Sequence, residues 1–134
     1  MFGPTNLRSP LGRARGLGSA KEGLHHWWAQ RVTSLALIPL AVWFVAGVIR
    51  LAAMGGDNSY DSLMIWIANP CNATLLILFL AVSFHHAQLG VQVVLEDYVS
   101  CHATRTASVI IVKFICYGCA ALGIVSTLIV CFGG

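Results

Sequence analysis

Charge is what this chain has least of. Only 10% of its 134 residues are Asp, Glu, Lys or Arg while 57% are hydrophobic, against roughly 25% charge in an average soluble domain. A soluble fold could not hide that much apolar surface. Residues 32–49, 62–95 and 114–134 contain no Asp, Glu, Lys or Arg. Once the polar start of the second is trimmed at Pro70, each run reaches the ~18 residues that suggest a spanning helix. Residues 1–18 hold no apolar core, which excludes a secretory signal; their Arg-rich, acid-poor composition also fits a mitochondrial transit peptide. No internal repeat or low-complexity segment occurs.

The basic residues that are present do not form a nucleic-acid surface, because they flank hydrophobic runs. Arg8, Arg13, Arg15, Lys21 and Arg31 precede the first run, and Arg105 and Lys113 flank the third. The loop between the first two runs holds Asp57 and Asp61 but no Lys or Arg, with only Arg50 on that side. The positive-inside rule therefore puts the N-terminus in the cytoplasm or the matrix. The expected fold is an all-α integral membrane protein with three transmembrane helices. Residues 1–18 form an extended cytoplasmic arm and residues 19–134 the membrane domain, with spans near 31–53, 70–97 and 106–132.

Five cysteines make an odd count. Cys116 and Cys119 have CxxC spacing, but they lie inside the third span without a second pair to complete a metal site. They read as small packing residues, and Cys116, Cys119, Gly123 and Thr127 recur at helical spacing as a face for close helix packing.

In chain order, Ser19 and Glu22 have the spacing of a capping box. Adjacent Trp27 and Trp28 mark the headgroup level, and Arg31 stands where the first span enters the lipid, either as a snorkelling anchor or facing inward to pair with an anion. Pro39 removes a backbone hydrogen bond within that span. Residues 54–61 are turn-rich, and residues 62–68 are too short to span, so they lie at the interface or continue into the next helix. Asn69 and Pro70 supply an N-cap and a first-turn proline for the second span.

The second span carries the chemistry. His85 and His86 interrupt an apolar run that closes on Glu96, Asp97 and Tyr98. On a helix His86, Gly90, Val93 and Asp97 share one stripe, about three turns and ~16 Å long. Histidine at mid-depth in a membrane helix must be satisfied by protein or cofactor, as a proton relay, a hydrogen-bonded packing residue or an axial haem ligand. Gly90, one turn below His86, leaves room for a macrocycle. Asp97 opposes the helix macrodipole and so suggests a nearby cation, such as Arg105, or a polar ligand. Tyr98 is either an aromatic-belt residue or a donor to the carbonyl of an amphipathic ligand.

The run from His86 through Gly90 to Asp97 and Tyr98 resembles the HxxxGxxxxxxDY signature of the D-type membrane-anchor subunits of succinate dehydrogenase, respiratory complex II. Gly23, His25 and Arg31 resemble the G-x-H-x(5)-R entry to the first helix of that family. The likeness runs from about Ser19 onward, and the SxxHRxTG pattern of the larger C-type anchor is absent. The resemblance implies that His86 ligates the iron of a b-type haem shared with the C-type cytochrome b anchor, which supplies the opposite histidine. It implies that Tyr98 hydrogen-bonds ubiquinone, that Asp97 supports that site, and that Arg31 and His25 meet haem propionates. His85, directly before the ligand position, departs from the pattern.

The expected function is thus that of a hydrophobic anchor in succinate:ubiquinone oxidoreductase, without activity alone. It would pack with the C-type subunit into a helical bundle and dock an iron–sulfur subunit and a flavoprotein to a bacterial inner membrane or the mitochondrial inner membrane. A cofactor-free structural anchor and a small proton-conducting subunit are the alternatives.

Overall fold

The computed structural model describes residues 20–53 and 59–133. They form four helices: α1 over Ala20–Ala53, α2 over Ser59–Ala68, α3 over Pro70–Tyr98 and α4 over His102–Gly133. α3, α4 and the part of α1 from Leu24 onward are each long and apolar enough to cross a membrane. The chain is accordingly an all-helical, multi-pass membrane protein. The arm at residues 1–18, the cap expected at Ser19 and the turn-rich residues 54–58 lie outside the described residues.

The helices form a layer with α3 in the middle. α3 packs against α1 on one side and α4 on the other, whereas α1 and α4 do not approach each other among the described residues. The layer leaves most side chains on its two broad faces open: among the described residues, only Ala73, Gln88, Leu89, Ala120 and Thr127 are buried. In a membrane such faces meet lipid or other helices.

α1 begins at Ala20, where the capping-box spacing places a helix start, ahead of the membrane span expected from position 31. Its 34 residues reach ~51 Å, more than the ~30 Å of bilayer hydrocarbon, so its first turns extend past the apolar layer. Pro39 sits inside α1 without ending it.

The short stretch before Pro70 is a separate helix. Asn69 takes extended backbone angles, φ −65° and ψ 123°, as the residue before a proline prefers. Its Oδ1 accepts hydrogen bonds from the N–H groups of Cys71 at 3.0 Å and Asn72 at 3.3 Å, so the expected N-cap forms. Asn72 Nδ2 then donates to the carbonyl of Trp66 at 3.0 Å, tying the end of α2 to the start of α3. Trp66 stacks on Trp43 of α1 with ring centroids 5.3 Å apart. Gly47 permits this approach, since a Cβ there would lie 2.7 Å from Trp66 Cζ2.

The third long helix starts at His102, four residues before the expected position. No Gly or Pro separates Val99 from Thr106, and the Cys101 carbonyl already accepts from the Arg105 N–H at 2.9 Å. Only residues 99–101 join α3 to α4, which holds the pair antiparallel. The small-residue face of α4 differs by one position from its expected form. Ala120 and Thr127 are buried while Cys119 is exposed, and a Cβ on Gly123 would meet Leu80 Cδ1 of α3 at 3.0 Å.

Two outcomes follow. Gly47→Ala forces the paired indoles to shift and should destabilise the outer end by ~1–3 kcal/mol, seen as a lower thermal midpoint in detergent. Cys101 and Cys71 are both exposed at opposite ends of α3. The Cys101 thiol is held below its ordinary pKa by the backbone N–H of Thr104, helped by the Thr104 hydroxyl and the Ala103 N–H. A membrane-impermeant thiol reagent should therefore label Cys101 rapidly at neutral pH from the basic, inner side, and Cys71 only from the outer side.

Candidate functional site

The adjacent histidines point in opposite directions. Successive helical residues lie ~100° apart, so with α3 in the middle of the layer one ring can turn to each neighbour. His86 turns to α1, where its Nδ1 lies 2.9 Å from Thr33 Oγ1 and its Nε2 lies 3.5 Å from Gln30 Nε2. His85 turns to α4, where its Nδ1 lies 3.2 Å from the Tyr117 hydroxyl, and the two rings stack with centroids 6.3 Å apart. Both rings are partly buried.

The contacts differ in strength. A separation of 2.9 Å is an ordinary hydrogen bond, whereas 3.5 Å lies at the edge of the useful range. His86 is thus held firmly through Nδ1 and only weakly through Nε2. Gly90, one turn toward the inner side, faces the same helix, and a Cβ there would lie 3.6 Å from Gln30 Nε2. Two buried polar atoms of α1, Gln30 Oε1 and His26 Nε2, have no hydrogen-bond partner among the described residues. Buried orphans of this kind call for an explanation, such as a polar ligand or a partner group.

His26, Gln30 and Thr33 recur at helical spacing and so present one polar stripe from α1. His25 and Arg31, the residues expected to meet propionates, lie off this stripe. His25 is exposed, and Arg31 is exposed with its guanidinium 5.2 Å from the Trp27 ring centroid. The hydrogen-bonding neighbours of His86 are therefore Gln30 and Thr33. The signal for them in the sequence is the i, i+4, i+7 spacing of His26, Gln30 and Thr33.

The other stripe of α3 holds a chain of amides. Gln88, only 2% exposed, donates through Nε2 to Gln92 Oε1 at 2.9 Å, and Gln92 Nε2 donates to Glu96 Oε1 at 2.8 Å. Glu96 thus ends a ladder that carries buried polarity to the membrane boundary. Asp97 and Tyr98 do not join it. Both are exposed, Tyr98 by 83%, and they stand at the inner end of α3 ~16 Å from His86 along the axis. All five cysteines are free, and no group of three or more His, Cys, Asp or Glu gathers among the described residues.

Comparison with known proteins bears on this arrangement. The family described as succinate dehydrogenase/fumarate reductase transmembrane subunit matches residues 5–122. The chain belongs to that family, as a D-type membrane anchor. A succinate dehydrogenase hydrophobic membrane anchor subunit of Rickettsia conorii is 36% identical over 112 residues, covering 83% of this chain and 86% of the relative. That of Rickettsia bellii is 36% identical over 109 residues, covering 81% and 83%, and that of Paracoccus denitrificans is 33% identical over 102 residues, covering 76% and 75%. No solved structure matches significantly.

Family membership makes the chain one part of a multi-subunit oxidoreductase, in agreement with the open faces of its helix layer. The donor set around His86 fits a haem: one imidazole is fixed through Nδ1, its Nε2 is barely engaged, a glycine follows one turn on, and unpartnered polar atoms lie alongside. If His86 alone among the two histidines is an iron ligand, His86→Leu removes the b-type absorption of assembled membranes. His85→Leu then retains it, and a reduced-minus-oxidised difference spectrum reads both.

Proposed function

We propose that this anchor binds b-type haem and ubiquinone with its partners and docks the catalytic subunits of succinate:ubiquinone oxidoreductase on the inner face of a bacterial membrane. The observation that carries the proposal is the separation along α3 of a partly buried imidazole, hydrogen-bonded through Nδ1 to Thr33 and only weakly approached at Nε2, from an exposed carboxylate and phenol about three turns on.

His86 would hold the haem through Nε2, together with a histidine of a C-type cytochrome b anchor. Arg31, beside the start of the span, and His25 would meet propionates. Haem bound there supplies a one-electron redox centre within the bilayer. Thr33 keeps the ring from turning, and at Gly90 the neighbouring side chain is Gln30, whose amide would have to move aside for a macrocycle.

Tyr98 can donate its phenolic proton to a quinone carbonyl, and Asp97 beside it can orient that phenol or a water. Reduction of the quinone to the quinol takes two electrons and two protons, so negative charge develops on the carbonyl oxygens. A phenol donor is worth most at that stage, because hydrogen bonds to charged groups are stronger than neutral ones. The electrons would come from a flavoprotein and an iron–sulfur subunit seated on the inner ends of the helices, near residues 99–101. The exposure of Asp97 and Tyr98 is consistent with a site completed by those neighbours.

Removing the phenolic donor tests the quinone assignment. Tyr98→Phe should cost ~1.5–3 kcal/mol of hydrogen bonding, or about 10- to 150-fold in quinone reduction, while succinate oxidation by an artificial dye stays at the wild-type level. Equal loss of both activities would instead mark an assembly role.

A further inference from the structure

Thr33 makes three short polar contacts with one hydroxyl. Its Oγ1 lies 2.7 Å from the Ala29 carbonyl, 3.2 Å from the Gln30 carbonyl and 2.9 Å from His86 Nδ1. A hydroxyl has one proton to give and two lone pairs to receive with. Both carbonyls can only accept, so the proton is satisfied in their direction, and the shorter contact is to Ala29. A proton aimed at the ring would leave the hydroxyl oxygen facing a carbonyl oxygen at 2.7 Å with nothing between them. The ring must then be the donor: Nδ1–H gives to Thr33 Oγ1, and Thr33 gives to Ala29.

A neutral imidazole has one N–H and one lone pair, on different nitrogens. With the proton on Nδ1, the lone pair is on Nε2. The Gln30 amide lies 3.5 Å from Nε2, at the edge of hydrogen-bond range, and so engages that lone pair little.

We infer that Thr33 is a positioning residue that fixes His86 in the Nδ1–H tautomer and so keeps the Nε2 lone pair free for a metal. The inference rests on the reading of His86 as the haem ligand. Thr33 acts through the ring and does not touch the iron. The chain from Nδ1–H to hydroxyl to backbone carbonyl does two things. It holds the ring plane, and it draws the Nδ1 proton toward oxygen, which raises the electron density on Nε2 and favours the ferric over the ferrous state. Hydrogen bonds behind a ligating histidine commonly fix tautomer, orientation and basicity in this way.

The test uses the assembled complex in membranes. Thr33→Val keeps the shape and removes both the acceptor for Nδ1–H and the donor to Ala29, whereas Thr33→Ser restores both. Haem per tagged anchor subunit, measured as the pyridine haemochrome, should fall about tenfold or more in affinity-limited preparations of the Val variant. The haem that remains should titrate at a higher midpoint potential, and the Ser variant should return both values to wild type. If the Val variant does not assemble, Thr33→Ala against Thr33→Ser makes the same comparison. Wild-type haem content and potential in an assembled Val or Ala variant would overturn the inference, since a packing role alone leaves potential unmoved. His86→Leu separates the two levels. Loss of haem there with no effect at Thr33 defeats only the positioning role, and retention of haem there defeats the ligand assignment and this inference together.

Discussion

The structure depends on one constraint, that a polar group within the hydrocarbon layer has no water to turn to and must find its partner in protein. α3 carries more such groups than a spanning helix ordinarily does, and it occupies the one position in the layer with a neighbour on each side. Each polar stripe of α3 is answered locally. The His86 ring is met by Thr33 of α1, the His85 ring by Tyr117 of α4, and Gln88 by a ladder of side chains along α3 itself. A helix at the edge of the layer could not have satisfied two adjacent imidazoles in opposite directions.

This division gives the acidic end of α3 two different meanings. Glu96 closes the amide ladder, and its carboxylate lets polarity buried at Gln88 step out to the headgroup region through i, i+4 bonds. Asp97, one residue on and rotated by ~100°, does not share that task and remains exposed with Tyr98. A pair that reads in sequence as one acidic cluster therefore separates into a structural carboxylate and one left for an outside partner.

Much of the architecture was legible because hydrophobic length and charge placement are strong, additive signals. Three uncharged runs gave three spanning helices, and Asn69 with Pro70 gave the start of α3 to the residue. The start of α4 was misjudged because no breaker marks it, and helical turns of mixed polarity such as residues 102–105 look like loop in sequence. At the candidate site, the motif pointed to His86, Asp97 and Tyr98, but not to what holds the histidine. Thr33 and Gln30 are uncharged residues whose meaning depends on which face of α1 meets α3, and a single helix does not encode its neighbour. The choice between His85 and His86 was open for the same reason: spacing alone cannot say which ring faces which helix.

The open faces of the layer are the counterpart of its satisfied interior. The three spans use small residues within the chain: Gly47 admits the Trp66 indole, Gly123 admits Leu80, and Ala73 and Ala120 are buried. Their large apolar residues, among them Leu35, Val42, Phe114 and Leu122, remain exposed. Lipid tails are as apolar as leucine, so such residues carry no drive of their own toward another protein. What distinguishes the α1–α3 seam from the rest of the surface is the unsatisfied Gln30 Oε1 and His26 Nε2. Buried polar atoms left unmet are a stronger reason for association than exposed aliphatic surface, and these two lie where α1 enters the membrane, at the inner end of the seam beside His86.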